Sequence, residues 1–245
     1  MAALMDDRDP RGVRRVRADN PSPLTLDGTN TYIAGGWVVD PGPEDPQHED
    51  AVLKAAGGHI DGIALTHTHP DHAGGAASLA VRAGVGVVLG GEGDRVGPFE
   101  VIATPGHAAD HVVLLFGKVA FAGDNVLGRG SVFIAPGEGS LSTYLESLRR
   151  LRGMDLEVIC PGHGPYVWAP ASKLDEYLEH RARRERLLLE AMESGAGTED
   201  AMLDHAWSDV PGELRGAAGL ALRAHLEKLA EEGRLPAGVD PSDPG

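Results

Sequence analysis

The segment Thr66-His67-Thr68-His69-Pro70-Asp71-His72 places four metal-competent side chains within six positions, directly after the apolar run Gly62–Leu65. Imidazole nitrogens and a carboxylate oxygen suit a borderline divalent cation such as zinc. In an extended stretch His67 and His69 project to the same side and can share one ion. Asp71 and His72 then turn with the chain and can face a second. Three more segments follow one local pattern: Glu100–Thr104 runs into Pro105-Gly106-His107, Val119–Ala122 into Gly123-Asp124-Asn125, and Leu156–Cys160 into Pro161-Gly162-His163. Each time a strand-like run stops at a glycine, which lets the backbone turn sharply, and a ligand-type residue comes next. A single turn histidine has an ordinary reading as a solvated loop residue. Four strand ends converging on the same residue chemistry predict a dinuclear metal centre on a rigid scaffold.

The elements that must position these residues are short. Tyr32–Ala34 and Trp37–Asp40 flank Gly35-Gly36 and read as a β-hairpin. Helical patterns occur near His48–Ala56 and Gly75–Ala83, and Leu141–Leu151 follows a Ser140 or Ser142 cap. Strands are expected at Gly62–Thr66, Val85–Leu89, Glu100–Thr104, Val112–Phe116, Val119–Ala122 and Leu156–Cys160. This alternation describes a layered α/β domain over residues 20–169. Residues 1–19 read as a flexible arm. Residues 170–236 combine a long amphipathic helix (Lys173–Met192) with a small helical module, and 237–245 read as a tail.

The 245 residues carry 22 Lys+Arg against 37 Asp+Glu, a formal charge of −15. That balance opposes binding of a polyanion by the whole surface. One cysteine, Cys160, leaves no internal disulfide and points to a reducing, cytoplasmic setting. Apolar runs of five residues are too short to span a membrane, so no membrane partner is expected.

His-x-His-x-Asp-His followed by separate His, Asp and His resembles the metallo-β-lactamase superfamily over residues from about 20 to 165. The resemblance implies a four-layer αβ/βα sandwich. It implies that His67, His69 and His107 bind one ion, that Asp71, His72 and His163 bind the other, and that Asp124 bridges both. Two zinc ions per chain are expected, with Mn2+ or Fe2+ as alternatives. True β-lactamases usually lack a histidine at the position of His72 and carry cysteine where this chain has Asp124, which argues against antibiotic hydrolysis. The pattern is similar to that of glyoxalase-II-type thioesterases, RNase Z-type phosphodiesterases and the β-lactamase-like protein 2 branch. Asn20–Tyr32 and Tyr177-Leu178-Glu179-His180-Arg181 resemble that last branch, whose C-terminal module is winged-helix-like. His225–Leu229 and Glu232-Gly233-Arg234 fit that module's last helix and wing.

The resemblance implies a metal-bridged hydroxide attacking an ester or thioester of a small-molecule substrate, with Asp71 as the catalytic carboxylate. Endonucleolytic cleavage of single-stranded RNA is the alternative. A one-iron persulfide dioxygenase and a metal-binding regulator stand behind both, and a homodimer is left open. The nucleic-acid reading rests on Arg14-Arg15-Val16-Arg17, Arg149-Arg150-Leu151-Arg152 and Arg181 through Arg186. It is opposed by the acidic balance and by aromatic residues making up only 4% of the chain, which leaves little for base stacking. His111 has equal readings as a partner of a ligand and as an ordinary strand-end residue. Asn30 and Thr31 are expected, by resemblance, to brace the metal loops. His48, His59, His205 and His225 carry no ligand pattern.

Overall fold

A computed structural model describes residues 8–132, 134–135 and 137–236. Residues 1–7 and the expected tail at 237–245 lie outside the described residues. The described residues divide into two units, one formed by 8–104, 110–132 and 152–173, the other by 105–109, 134–135, 137–151 and 174–236.

The first unit holds two mixed five-stranded sheets. One has the order β1-β2-β3-β4-β5: β1 (Val13–Arg17), β2 (Asn30–Ala34), β3 (Trp37–Val39), β4 (Gly62–Ala64) and β5 (Val87–Val88). The other runs β10-β9-β8-β7-β6: β6 (Arg95–Val96), β7 (Phe99–Ala103), β8 (Val112–Phe116), β9 (Val119–Gly123) and β10 (Val158–Pro161). Among the described residues, parallel pairing is confined to β3·β4, β4·β5 and β9·β10.

Strand alternation separates two cores. Val39 and Ala64 join Tyr32, Phe99, Leu114 and Phe121 in a core drawn from both sheets. Their neighbours Val38 and Ile63 point the other way, toward Val52 of helix α1 (Pro46–Ala55) and Leu79 of α3 (Ala76–Ala83). Between β4 and α3 lies α2 (Pro70–Ala73), a four-residue helix with His69 as its N-cap.

Two sequence expectations need correction. The arm read over 1–19 contains β1, whose five residues pair antiparallel with Asn30–Ala34. Its Val-Arg-Arg-Val-Arg pattern buries Val13 while the long arginine stems find partners along the strand. Arg14 donates to the Ala55 carbonyl at 2.7 Å, and the Arg15 guanidinium lies 4.5 Å from the centre of the Tyr166 ring. These arginines are part of the fold. The strand expected over Val85–Leu89 shrinks to Val87–Val88.

The second unit is helical. Helix α4 (Leu141–Arg152) buries Leu141, Tyr144, Leu145, Leu148 and Leu151, a stripe of helical period. Leu188 and Met192 of α5 (Pro170–Glu193) pack with Met202, Leu203 and Ala206 of α6 (Glu199–Ala206) and with Leu222, Leu226 and Leu229 of α7 (Arg215–Glu231). The last helix of the module, expected at His225–Leu229, is thus the C-terminal part of a 17-residue helix. Glu232-Gly233-Arg234 forms the turn that closes α7, with Gly233 at φ +67 and the Arg234 amide donating to the Leu229 carbonyl. No strand follows α7 among the described residues. Thr198 caps α6, its hydroxyl accepting from the Ala201 amide at 3.3 Å. Thr198→Ala is expected to cost about 1 kcal/mol, read as a lower urea midpoint with an unchanged slope. No helix of the described residues is long and apolar enough to cross a membrane.

Candidate metal centre

The first ligand segment starts where β4 ends. Beside it, β3 ends at Val39 and is followed by Asp40, whose amide donates to the Ala64 carbonyl. Asp40 is 2% exposed and sits at φ +50, an unusual backbone for a residue with a side chain. Its two oxygens hold the start of the ligand segment in place. Oδ1 accepts from the Thr66 amide (2.8 Å), and Oδ2 accepts from the Thr66 hydroxyl (2.7 Å) and from His72 Nδ1 (2.9 Å).

These bonds assign the histidine tautomers. The single hydroxyl proton of Thr66 goes to Asp40, so His67 Nδ1, 2.9 Å from the Thr66 oxygen, must donate to it. His67 and His72 therefore each carry a proton on Nδ1 and leave Nε2 as the nitrogen a metal ion would take. His163 Nδ1 faces the Gly28 carbonyl at 3.4 Å, which directs its Nε2 the same way.

His69 caps α2, and the following turn presents Asp71 and His72 together. His72 Nε2 lies 3.3 Å from His163 Nε2 and 3.3 Å from Asp124 Oδ1. His163 Nε2 lies 3.3 Å from Asp124 Oδ1 and 3.2 Å from Asp71 Oδ2. The donor atoms of Asp71, His72, Asp124 and His163 all fall within 4.8 Å of one another. Two imidazole nitrogens and two carboxylates converging in this way fit a divalent cation. His67 lies alongside, its ring centroid 4.6 Å from that of His69 and 4.4 Å from that of His72.

The charges are strongly coupled. Burial alone would raise the Asp124 carboxyl, but His72 and His163 outweigh it and hold it well below the usual carboxylate range. Burial also works to raise Asp71, and His163 and His72 again bring it down. Burial opposes protonation of His72, yet Asp124 and Asp40 lift it well above its ordinary value. His163 rises to about 9 against burial because Asp124 and Asp71 accept from it. The carboxylates demand positive charge between them, so protons and a metal ion compete for the same nitrogens.

Two glycines keep the cluster tight. A Cβ on Gly162 would lie 2.5 Å from His72 Cε1 and 2.6 Å from Asp124 Oδ1. Gly123, at φ +44, approaches Thr66 so closely that a Cβ there would meet its hydroxyl at 2.4 Å. Asn30 braces the His163 turn, its side-chain amide donating to the Pro161 and Gly164 carbonyls at 3.0 and 2.8 Å. Thr31 donates to the Asp40 carbonyl at 2.6 Å, beside the start of the candidate ligand segment. His111 is buried, bonded to the Thr104 hydroxyl at 2.9 Å, and its ring centroid is 4.9 Å from that of His67. His107 sits on the segment Pro105–Ala109, which belongs with the helical unit and is held there by the Ser140 amide donating to the Gly106 carbonyl.

Sequence reasoning assigns no role to Asp40, Thr66 or His48, all of which the structure ties to the cluster. His48 Nε2 meets the Thr31 hydroxyl at 2.8 Å, extending the chain of bonds behind Asp40. A usable signal exists, since Val38-Val39-Asp40-Pro41-Gly42 is another apolar strand ending in an acid beside a glycine. Asp40→Ala is expected to weaken metal binding by about 10–100-fold, because His72 loses the group that fixes its orientation. Competition with a chromophoric chelator measures this.

The sequence pattern that defines the Metallo-beta-lactamase superfamily matches residues 24–97 and 85–163. The chain belongs to the metallo-β-lactamase superfamily. A second pattern, the Beta-lactamase associated winged helix domain, matches residues 198–236. A Beta-lactamase-like protein 2 homolog of Drosophila melanogaster is 32% identical, with 91% of this chain and 89% of that protein covered. The atrochrysone carboxyl ACP thioesterase of Aspergillus fumigatus is 29% identical over 86% of this chain and 78% of that protein. A metallo-beta-lactamase family protein of Thermus thermophilus has the same fold, with a TM-score of 0.74, 23% identity and 91% and 94% of the two chains covered. Metallo-β-lactamase superfamily members are largely hydrolases that bind metal ions.

Proposed function

We propose that this protein is a dinuclear zinc-dependent hydrolase acting on an ester or thioester. The observation that carries the reading is the convergence of Asp71, His72, Asp124 and His163, with Nε2 of His72 and Nε2 of His163 turned inward, 3.3 Å apart. His67, His69 and His107 would hold one ion, Asp71, His72 and His163 the other, with Asp124 shared. Bound zinc supplies a Lewis acid and a nucleophilic water at neutral pH, so no side chain need form a covalent intermediate.

The chain's own residues do the rest. Asp40 and Thr66 fix the tautomers of His67 and His72. Asp71 has 31% of its side chain exposed against 14% for Asp124, so it is the carboxylate open to an incoming substrate. It orients the attacking water and carries a proton to the departing thiolate or alkoxide. The similarity to a named acyl-carrier thioesterase supports a thioester as the bond cleaved. The one thiol, Cys160, is fully buried and raised far above its usual pKa, first by burial; it suits a reducing cytoplasmic setting and is not a nucleophile.

The test is a parallel assay of the metal-loaded protein against an acyl-thioester panel and a single-stranded RNA. Thioester hydrolysis that is lost in Asp71→Ala is the expected result. RNA cleavage lost in the same variant, with no thioester turnover, would replace this reading with the endoribonuclease one.

A further inference from the structure

Two of the arginine clusters in the sequence, near Arg149 and across Arg181–Arg186, come together in the helical unit. They line a concave cavity of about 600 Å³ with the end of α7 and the turn that follows it. That volume suits a small organic ligand.

The charges are unequal. Glu185 and Glu232 each accept from both Lys228 and Arg234, at 2.6–2.8 Å, so these four groups neutralise one another. Arg149, Arg181 and Arg186 then face a single remaining carboxylate, Glu179. The lining is net positive by two charges in a chain whose total is −15. The arginines differ in how they are held. Arg181 is 4% exposed and its guanidinium lies 5.7 Å from the centre of the Tyr144 ring, a rigid position at the cavity wall. Arg149 and Arg186 are exposed and make no ion pair among the described residues. Leu145, Leu178 and Ala182 supply an apolar portion of the wall.

We propose that this cavity binds a small organic phosphate, with Arg149 and Arg186 closing on the phosphoryl oxygens and the apolar wall receiving the organic part. Guanidinium groups match phosphate oxygens in geometry as well as charge. Two histidines record the positive field. His180 is pushed down to about 4 by burial and by Arg181, Arg184 and Arg183. Buried His225 is lowered well below its ordinary value, first by burial and then by Arg181 and Lys228. A cavity of this size suits a compact ligand better than a polynucleotide, which needs a long basic track to follow its backbone.

Calorimetric titration of the full-length protein with pyrophosphate and with adenosine 5′-monophosphate, at fixed ionic strength, tests the proposal. Saturable binding with Kd at or below about 1 mM is expected. The double variant Arg149→Ala/Arg186→Ala removes only exposed side chains and should weaken binding at least about tenfold, with partial recovery in Arg149→Lys/Arg186→Lys. Absence of saturable binding would overturn the proposal. Undiminished binding in the double variant would do the same, since it places the phosphate elsewhere, at the metal centre for example. So would binding of a single-stranded RNA oligomer through these residues when neither small phosphate binds.

Discussion

Asp124→Asn is expected to lower kcat/KM for acyl-thioester hydrolysis by about 10³-fold, equivalent to about 4 kcal/mol of transition-state stabilisation, with the circular dichroism spectrum unchanged. The substitution keeps the size of the side chain and removes only its charge. That charge matters because Asp124 Oδ1 is equidistant, at 3.3 Å, from the inward nitrogens of His72 and His163. An amide oxygen there is a weaker donor to a divalent ion, and an amide nitrogen would point protons at the cluster. Steady-state kinetics with metal content measured on the same sample checks the claim. Full turnover in a variant that retains two ions would remove Asp124 from the bridging role proposed for it.

Gly162→Ala is expected to lower turnover by about 10²-fold, a size that fits displacement of reacting groups by about an ångström. The added methyl would fall 2.5 Å from His72 and 2.6 Å from Asp124, and the backbone has little room to yield. The Gly162 amide donates to the Gly123 carbonyl at 2.7 Å, while its own carbonyl accepts from the Asn30 amide at 2.7 Å. The ligands must therefore move. The loss should appear in kcat and in metal affinity together. An alanine variant with unaltered kinetics would show that the site is looser than these distances imply.

How much of this is legible in the sequence depends on how far each interaction reaches along the chain. The ligand-bearing turns can be read because strand, glycine and ligand are consecutive residues, and His67 through His72 sit inside one strand-to-helix junction. Most strands of the two sheets, though not β1 or β6, and α4 are readable for the same reason, since alternation and helical period are local patterns. Asp40 is not readable as a partner of the site. Its bonds to Thr66 and His72 cross 26 and 32 residues and exist only because β3 and β4 pair in parallel. The strand β1 gives little signal because three of its five residues are arginines, whose stems pack while their charged ends reach out. The cavity of the helical unit is hidden for a related reason. Its arginines stand on separate helices, and each cluster alone looks like a solvated helix face.

The most direct test of the central claim is a zinc titration of the metal-stripped protein, following hydrolysis of a short acyl-thioester. Activity that climbs and saturates at two equivalents of zinc per chain is the predicted result. No thioester hydrolysis at any zinc loading would contradict it, as would activity that appears only with a single equivalent of iron.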